Sequence, residues 1–321
     1  MTLEEFLEEW NSLSPYIRVQ TSGSTGAPKP MLVEKCRMLA SARITCDFLG
    51  LKAGDTALLC MSLDYIAGKM MVVRSLERGL RLVSVPPTGT PEWNGPIDFA
   101  AMVPIQVWNL LHDANGRRRL EQVRHLIIGG GAINDALASA LVGFPNRVWS
   151  TYGMTETLSH IALRRLNGPE ASDRYTPFPS VHVSLSADGC LVIDAPEVCA
   201  ERLVTNDIAE LSPDGTFRIL GRKDNVICSG GLKIQAEEVE RLLRPHLSAP
   251  FLITKRKDEK FGEIVVLLTE SATDEAENTA HQVLPKYWQP RAYIRVDHIP
   301  LTATGKPARK EAEQLALHPS R

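Results

Sequence analysis

A run of glycine and hydroxyl-bearing residues follows the first strand-like segment, Tyr16–Gln20, and ends in a lysine. Glycines let a backbone adopt positive φ angles and approach a ligand closely. Backbone N–H groups, hydroxyls and an ammonium group can together surround phosphate oxygens. No helix-starting GK[ST] is present, so this is not the loop of P-loop ATPases, and alone the run fits a flexible connector equally well. Its residues are Thr21, Ser22, Gly23, Ser24, Thr25, Gly26, Ala27, Pro28 and Lys29.

Four further short motifs combine charged residues with glycine or threonine. They are residues 152–156 (YGMTE), 205–207 (TND), 221–224 (GRKD) and 300–306 (PLTATGK). In this order and spacing, together with the first run, they resemble the core motifs of the adenylate-forming superfamily. That superfamily includes acyl-CoA and aryl-CoA synthetases, peptide-synthetase adenylation domains and luciferases. The resemblance extends from residue 19 to residue 309.

The resemblance implies an enzyme that activates a small carboxylic acid in two steps, with ATP, Mg²⁺ and CoA. First the carboxylate attacks the α-phosphate of ATP and pyrophosphate leaves. A thiol then attacks the acyl-adenylate and AMP leaves. Because the first step crowds anions together, cations and N–H donors must stabilise the charge that develops, and Mg²⁺ does so by bridging phosphate oxygens.

By the resemblance, most of the matched residues contact ATP. Residues 21–29 are expected to cover the β- and γ-phosphates, and Thr155 to contact the α-phosphate. Glu156 would hold Mg²⁺, although a carboxylate at a helix N-terminus would also be favourable there without a metal. The other residues expected to bind ATP are Gly130 and Gly131 at the adenine, Asp207 and Arg222 at the ribose, and Tyr152 and Gly153.

The resemblance assigns catalysis of the first step to Lys306, with Thr155 and Glu156. The ammonium group of Lys306 would stabilise the pentavalent transition state, whereas outside this motif a solvated surface lysine would be the simpler interpretation. Asp224 matches the hinge about which the C-terminal domain of these enzymes turns after adenylation. A turn containing Gly230 and Gly231 would then line the tunnel for the pantetheine of CoA.

Residues that bind the acid are expected in the segment 62–74 and just after YGMTE. This part of the chain resembles the compact bacterial o-succinylbenzoate–CoA ligases of menaquinone synthesis. That acid has two carboxylates, and the one that is not activated needs a cation, for which the fork of Arg74 is suited. Tyr65 would be an aromatic gate, and His160 and Lys69 are further candidates, although Lys69 lies on another helix face. A surface-paired Arg74 and a packed, structural His160 are the alternatives.

Alternating strand-like and helical runs predict a mostly parallel α/β sheet up to residue 221. Short strands then predict an antiparallel, barrel-like region that closes an N-terminal ATP- and acyl-binding domain (residues 1–221), and a small mobile α+β domain (residues 222–321) follows. Family members have a much longer segment before the phosphate loop, so a truncated N-terminal domain is expected, with one wall of the acyl pocket supplied from elsewhere. The predicted strands are 57–61, 82–85, 99–103, 125–128, 147–151, 181–186, 190–193, 208–211, 216–220, 251–254, 263–269 and 293–296, with a strand–turn–strand over 226–234. The predicted helices are 36–49, 67–78, 105–112, 133–142, 236–243 and 271–284, with a last helix that starts near residue 307.

The composition excludes several other classes of protein. With 321 residues, 44% apolar residues and a net charge of −2, the chain predicts neither a nucleic-acid surface nor a membrane span. The six cysteines lack metal-ligand spacing and indicate scattered buried thiols in a reducing compartment. A cytoplasmic protein is therefore expected, and a homo-oligomer is possible.

Two alternatives to an o-succinylbenzoate–CoA ligase stay open from the sequence. The enzyme could adenylate another aromatic or small acid and transfer it to CoA or to a carrier protein. The chain could instead be a nucleotide-binding homologue that has lost turnover. Retention of Glu156, Asp207, Arg222 and Lys306 argues against that loss.

Overall fold

The computed structural model describes residues 1–20, 30–131, 133, 135–302 and 307–317. The helices are α1 (Leu3–Asn11), α2 (Lys35–Leu49), α3 (Ile66–Arg78), α4 (Pro104–Leu111), α5 (Ala114–Glu121), α6 (Asp135–Leu141), α7 (Ala236–Leu243), α8 (Thr273–Val283) and α9 (Arg309–Leu317). The strands are β1 (Tyr16–Gln20), β2 (Pro30–Glu34), β3 (Thr56–Leu59), β4 (Arg81–Ser84), β5 (Ile97–Met102), β6 (Val123–Ile128), β7 (Arg147–Gly153), β8 (His160–Arg165), β9 (Thr176–Pro177), β10 (His182–Leu185), β11 (Cys190–Asp194), β12 (Leu203–Leu211), β13 (Phe217–Arg222), β14 (Val226–Ser229), β15 (Leu232–Gln235), β16 (Phe251–Asp258), β17 (Gly262–Thr269) and β18 (Ala292–Arg295).

The chain divides into two compact units. The first contains Met1–Ser184, Val192–Leu203 and Leu211–Arg218, and the second contains Leu185–Leu191, Val204–Glu210 and Ile219–Arg321. The main block of the second unit thus begins close to the predicted boundary at residues 221 and 222, and that boundary stays a prediction.

A seven-stranded sheet forms the centre of the first unit, in the order β4-β3-β5-β6-β7-β8-β9. The pairs from β4 to β7 are parallel, and β8 and β9 are added antiparallel. Strands β5 and β6 are almost continuously buried, as expected for a parallel sheet covered on both faces. The α/β prediction is therefore confirmed, with most elements differing from prediction only at their ends.

The elements that the sequence interpretation missed include β2, β8, β9 and α5. Helix α5 was missed because its arginines, residues 117–119, form a basic run that fits a solvated helix end or a loop equally well. In the structure Asp113 caps the helix by accepting a hydrogen bond from Gly116 N at 2.6 Å. Strand β8 was missed because its apolar residues follow YGMTE without a separating turn signal in the sequence. Because β8 follows the motif, Glu156 lies in a turn between two strands.

The second unit contains a five-stranded sheet in the order β15-β14-β17-β16, with β18 parallel to β17. One hydrophobic cluster joins this sheet to α7 and α8, and another cluster includes Ala312 and Ala316 of α9. These elements confirm the predicted α+β unit. A four-stranded sheet has the order β10-β11-β12-β13, so strands that are consecutive in the chain are neighbours.

Two compositional expectations can be compared with the described residues. The longest described helix, α2, has 15 residues, and no described helix is long and apolar enough to cross a membrane. All six cysteines are described and free. The expectation that they are buried is wrong for Cys36 and Cys228, which are exposed, and for Cys199, which is partly exposed.

Candidate active site

Glycines after β6 lie at the carboxyl edge of the parallel sheet, where ligands of open α/β sheets bind. Gly129 N donates a 3.0 Å hydrogen bond to Met102 O at the end of β5. A Cβ atom added at Gly129 would overlap the Thr151 hydroxyl of β7. Gly130 has a φ of +78°, a value that glycine adopts without strain. The glycines predicted to face adenine, Gly130 and Gly131, therefore follow a closely packed pair of strand ends.

The YGMTE motif forms the end of β7 and a tight turn into β8. A Cβ atom added at Gly153 would overlap Ser159 O and His160 of the returning strand, so glycine is required there. The Thr157 hydroxyl accepts a hydrogen bond from Met154 N at 3.1 Å and donates to Ser159 O at 2.8 Å. Leu158 adopts a φ of +64°, which closes the turn. The turn is thus held by its own backbone and by one buried hydroxyl.

Thr155 and Glu156 occupy opposite environments in this turn. Thr155 is buried, whereas Glu156 is exposed, and no described residue pairs with its carboxylate. Because β8 rather than a helix follows the turn, the helix N-terminal interpretation of Glu156 is wrong. No group of three or more His, Cys, Asp or Glu side chains suited to a metal occurs in the described part of the chain. A free carboxylate fits Mg²⁺, which is commonly held by one or two carboxylates, waters and substrate phosphates.

Tyr152 lies in an aromatic cluster of the first unit. Its ring centroid is 5.7 Å from that of Tyr175 and 5.2 Å from that of Phe217. Such tilted and edge-on pairs stabilise one ring orientation beyond simple burial. The cluster therefore fixes the strand that presents Gly153 and Thr155.

Arg74 is a deeply buried charged side chain of the first unit, with 2% exposure. Its Nη2 donates a 2.6 Å hydrogen bond to Ser159 Oγ, and its Cζ lies 5.9 Å from the centre of the Phe99 ring. Its Nε has no hydrogen-bond partner, and no described carboxylate forms an ion pair with it. The alternative of a surface-paired arginine is therefore wrong.

The electrostatic state of Arg74 follows from that burial. Burial lowers the pKa of its guanidinium to about 10, with only a small opposing effect of the Cys46 thiol. The group still carries its charge at neutral pH. A buried cation without a counter-charge is costly, and an anion that reaches it gains a charge-assisted, forked contact. This arrangement suits a carboxylate that belongs to a ligand.

His160 extends the polar contacts of Arg74 into the interior. Its Nδ1 lies 3.2 Å from Ser159 Oγ and its Nε2 lies 3.1 Å from Thr45 Oγ1. Burial, and secondarily the charge of Arg74, holds the pKa of His160 well below 6.5. The imidazole is therefore neutral at physiological pH. These contacts favour the packed, structural interpretation, in which His160 orients the hydroxyl that Arg74 binds.

The other two candidate acyl residues lie at the start of α3. Tyr65 precedes the helix and is 46% exposed. Lys69 is buried, and its Nζ donates a 2.9 Å hydrogen bond to Arg18 O and lies 3.7 Å from Glu9 Oε2. The ammonium group of Lys69 is thus occupied by α1 and β1, away from the contacts of Arg74. A role of Lys69 in binding the acid stays a prediction.

The predicted ribose and hinge residues are neighbours within the second unit. Arg222 Nη1 lies 3.3 Å from Asp207 Oδ1, and its Nη2 lies 3.4 Å from Asp224 Oδ2. Asp224 belongs to a 3₁₀ turn, Lys223–Asn225, directly after β13. The guanidinium therefore joins the two carboxylates, and its contact with Asp224 links the predicted ribose site to the predicted hinge.

Gly230 and Gly231 form the turn between β14 and β15, as predicted. Their φ angles are +58° and +84°, the values that a two-residue hairpin turn of this kind requires. Gly230 N donates a 2.9 Å hydrogen bond to Phe261 O, so the turn is attached to the segment before β17. The predicted role of this turn in the CoA tunnel is not tested by these contacts.

Residues 21–29 and Lys306 lie outside the described residues, but their flanks are described. Gln20 and Pro30 are register partners in the antiparallel β1–β2 pair. Leu301 and Pro307 form an antiparallel bridge, and Ala308 N donates a 2.9 Å hydrogen bond to Pro300 O. In both places the described residues that come before are paired with the described residues that come after.

A buried ion pair follows the PLTATGK motif and was not anticipated from the sequence. Arg309 Nη1 and Nη2 lie 2.8 Å and 2.9 Å from the two carboxylate oxygens of Glu240, and Nη1 donates a 2.6 Å hydrogen bond to Ile253 O. Burial opposes the charge of Arg309, but the carboxylate of Glu240 outweighs it and raises the pKa of the guanidinium. No local signal could reveal this pair, because its partners belong to distant helices.

A family model described as "AMP-binding enzyme" matches residues 8–200, more than half of the chain. The 2-succinylbenzoate–CoA ligase of Bacillus cereus (strain Q1) is 26% identical over 97% of this chain and 73% of its own length. An acyl-CoA synthetase (AMP-forming)/AMP-acid ligase II-like protein from Dyadobacter fermentans is 33% identical and covers 98% of this chain and 93% of its own, with a TM-score of 0.66.

A further solved structure shares the fold. It is the O-succinylbenzoate coenzyme A synthetase (MenE) from Bacillus subtilis in complex with ATP and magnesium ion, which is 22% identical. The alignment covers 92% of this chain and 69% of that one, with a TM-score of 0.74. The motifs, the fold and these similarities agree: the chain belongs to the AMP-binding enzyme family and is an AMP-forming acid–thiol ligase.

Proposed function

We propose that this enzyme converts o-succinylbenzoate, ATP and CoA into o-succinylbenzoyl-CoA, AMP and pyrophosphate. The observation that carries this assignment is the buried guanidinium of Arg74, which has no carboxylate partner among the described residues. A diacid would supply that partner with the carboxylate that is not activated. Relatives named for this reaction align over nearly the whole chain.

In the first step a carboxylate oxygen of the acid forms a bond to the α-phosphorus of ATP, and the bond between that phosphorus and the bridging oxygen to the β-phosphate breaks. Pyrophosphate leaves with the electron pair. We assign the β- and γ-phosphates to residues 21–29, the α-phosphate to Thr155 and the transition-state charge to Lys306. Glu156 would hold Mg²⁺, which supplies further neutralisation of the phosphate oxygens.

In the second step the thiolate of CoA attacks the acyl carbon, the mixed anhydride breaks, and AMP leaves. Asp207 and Arg222 would hold the ribose hydroxyls, with the carboxylate as acceptor and the guanidinium as donor. Gly130 and Gly131 would lie along the adenine, and Gly230 and Gly231 along the pantetheine. Asp224 would be the hinge between the adenylation and thioester steps.

In the acid site, Arg74 would bind the second carboxylate with its free N–H groups. Ser159 and the neutral His160 would hold the guanidinium in place, and Tyr65 would cover the ring of the acid. We also propose a reducing, cytoplasmic location, which the six free cysteines support. The oligomeric state stays a prediction.

Pyrophosphate release measured over a panel of acids, with and without CoA, tests the assignment. Two matched acids sharpen it, because 4-oxo-4-phenylbutanoate and 2-butanoylbenzoate each lack one of the two carboxylates of o-succinylbenzoate. We expect o-succinylbenzoate to give the highest kcat/KM. The matched acid that keeps the carboxylate to be activated should give at least about tenfold less, the loss of one charged contact, and the acid that lacks this carboxylate should give no release. Faster release with a benzoate-type or short acid would contradict the substrate, and acyl transfer to a carrier protein but not to CoA would contradict the acceptor. No release with any acid would contradict catalysis.

A further inference from the structure

We propose that Lys69 and Glu9 are positioning residues for ATP, because together they fix the strand that leads into residues 21–29. This inference rests on the proposed function only in the assignment of residues 21–29 to the phosphates. It gives Lys69 a role different from the acid-binding role that its place in the sequence suggests. The pair would act through the backbone of β1.

Both backbone groups of Arg18 in β1 are bound by this pair. Arg18 N donates a 3.1 Å hydrogen bond to Glu9 Oε1, and Arg18 O accepts a 2.9 Å hydrogen bond from Lys69 Nζ. The second oxygen of Glu9, Oε2, lies 3.7 Å from Lys69 Nζ. A carboxylate of α1 and an ammonium group of α3 thus bind one residue of β1 from the side that faces away from β2.

The ammonium group of Lys69 is removed from water in this position. Lys69 is 2% exposed, and its Nζ lies 5.4 Å from the centre of the ring of Phe6, which is itself fully buried. Burial lowers the pKa of Lys69, and the charge of Glu9 opposes that effect. Because a buried charge is tolerated only with good partners, the carboxylate of Glu9 and the carbonyl of Arg18 are both needed to hold it. The geometry of the pair is therefore specific.

The strand pair that is fixed in this way is held by the buried side chains of Ile17 and Val19 as well as by Glu9 and Lys69. In the described part of the chain β1 and β2 form a sheet of two strands, and an isolated two-stranded hairpin is marginally stable. Gln20 is the last residue of β1 before residues 21–29 and is the register partner of Pro30, and Arg18 lies two positions earlier. A displacement of β1 by about 1 Å would move any group that the following residues present to a phosphate, and such errors lower rates strongly.

The test compares Lys69→Met with the conservative variant Lys69→Arg and with Glu9→Gln. A matched control is Lys35→Met, because Lys35 Nζ also donates a 2.9 Å hydrogen bond to a carbonyl, that of Ser12, but does not bind β1. The dissociation constant of ATP is measured by calorimetry without any acid. The other measurements on each variant are the KM values for ATP and for the acid, the rate of thioester formation from a supplied acyl-adenylate, and the melting temperature.

We expect Lys69→Met to weaken ATP binding at least about tenfold, with the KM for the acid and the thioester rate within about twofold of the wild type. Glu9→Gln should act in the same direction, Lys69→Arg should recover most of the loss, and Lys35→Met should bind ATP normally. Unchanged ATP binding in a folded Lys69→Met or Glu9→Gln variant would overturn the proposal. A rise in the KM for the acid without weaker ATP binding would instead assign Lys69 to the acid site. Equal loss of both half-reactions would indicate general damage and would also overturn it.

These outcomes are separate from those of the proposed function. The calorimetric constant for ATP requires no acid, so the Lys69 proposal can fail or succeed whichever acid is used. If o-succinylbenzoate is not a substrate, the KM values are measured with the acid that gives the fastest pyrophosphate release. Failure of the substrate assignment therefore leaves the test of Lys69 intact.

Discussion

Arg74 Nη2 lies 2.6 Å from Ser159 Oγ, although 85 positions separate the two residues in the chain. The hydrogen bond joins α3 to the end of the YGMTE turn, so the predicted acid-binding helix and the predicted phosphate-binding turn share a buried contact. The remaining donors of Arg74 have no described carboxylate, which leaves a cation prepared for an anion.

Replacement of Arg74 by Met should separate stability from acid binding. Because an unpaired buried charge is costly, Arg74→Met should leave the free energy of unfolding of the ligand-free protein unchanged or raise it by about 1 kcal/mol. The same change should raise the KM for o-succinylbenzoate by about 10- to 100-fold, the value of a charged hydrogen bond, and should leave nearly unaltered the KM of the matched monoacid that keeps only the carboxylate to be activated. Urea unfolding and pyrophosphate release measure these effects.

The matched control is Arg74→Lys, which keeps the charge but loses the fork that binds both carboxylate oxygens. It should give an intermediate KM for the diacid. If Arg74→Met lowered turnover of diacids and monoacids equally, Arg74 would be a structural residue and not a determinant of substrate choice.

Glu156 offers a test of the metal role that does not disturb the fold. Its carboxylate is exposed and has no described partner, so Glu156→Gln should change the free energy of unfolding by less than about 0.5 kcal/mol. We expect the Mg²⁺ concentration needed for half-maximal pyrophosphate release to rise at least about tenfold, because a neutral amide is a poorer ligand for a hard cation. The control is Glu170→Gln, because Glu170 is an exposed carboxylate whose Oε2 lies 3.6 Å from Arg165 Nη1. An unaltered Mg²⁺ requirement in Glu156→Gln would contradict the assignment.

The Arg309–Glu240 pair should contribute strongly to the stability of the second unit. Breaking a buried ion pair from one side leaves an uncompensated charge, so Arg309→Met should lower the free energy of unfolding by about 3–5 kcal/mol. The control is the exposed Arg241–Glu238 pair of α7, the helix that contains Glu240, with an N–O distance of 2.6 Å. This pair should contribute less than about 1 kcal/mol to the free energy of unfolding.

The double variant Arg309→Met/Glu240→Gln completes a mutant cycle for this pair. It should be more stable than Arg309→Met, since the charge left behind is removed, and the coupling energy should exceed about 1 kcal/mol. Additive effects of the two single changes would show that the pair is not coupled in solution.

His125 predicts a loss of stability in mild acid. It is buried and its Nδ1 has no partner among the described residues. Burial first, and then the charges of Arg124, Arg147 and Arg165, lower its pKa from 6.5 to about 4. Because the folded-state pKa is below the unfolded value, the contribution of neutral His125 to the free energy of unfolding is fully present above pH 6.5. This contribution is lost as the pH falls towards 4.

Between pH 7.5 and pH 5, His125 should lower the free energy of unfolding by about 2 kcal/mol. The low pKa of His160 adds a loss of the same sign. Urea unfolding at both pH values should therefore give a smaller difference for His125→Gln than for the wild type. The control is His182→Gln, since His182 is exposed, and it should behave like the wild type. An identical pH dependence in His125→Gln would contradict the prediction.

The sequence by itself determined the family and the order of the elements. The phosphate-loop run, YGMTE and PLTATGK are local patterns, and they identify an adenylate-forming ligase without knowledge of where their side chains lie. Apolar runs such as those of β5 and β6 alternate with helical segments along the chain, and this alternation predicts a mostly parallel sheet. The hairpin turn at Gly230 and Gly231 was also predictable, because two-residue turns need positive φ angles.

Only the tertiary structure decided which charged groups meet. Arg74 pairs with Ser159, Lys69 with Glu9 and the carbonyl of Arg18, and Arg309 with Glu240, and each partner lies far away in the chain. Local spacing places a side chain on a face of its own helix, but burial and hydrogen bonding depend on what packs against that face. For this reason the sequence could propose both Arg74 and Lys69 as candidates on different faces of one helix, whereas packing buried the first without a described counter-charge and bound the second to the strand that precedes residues 21–29.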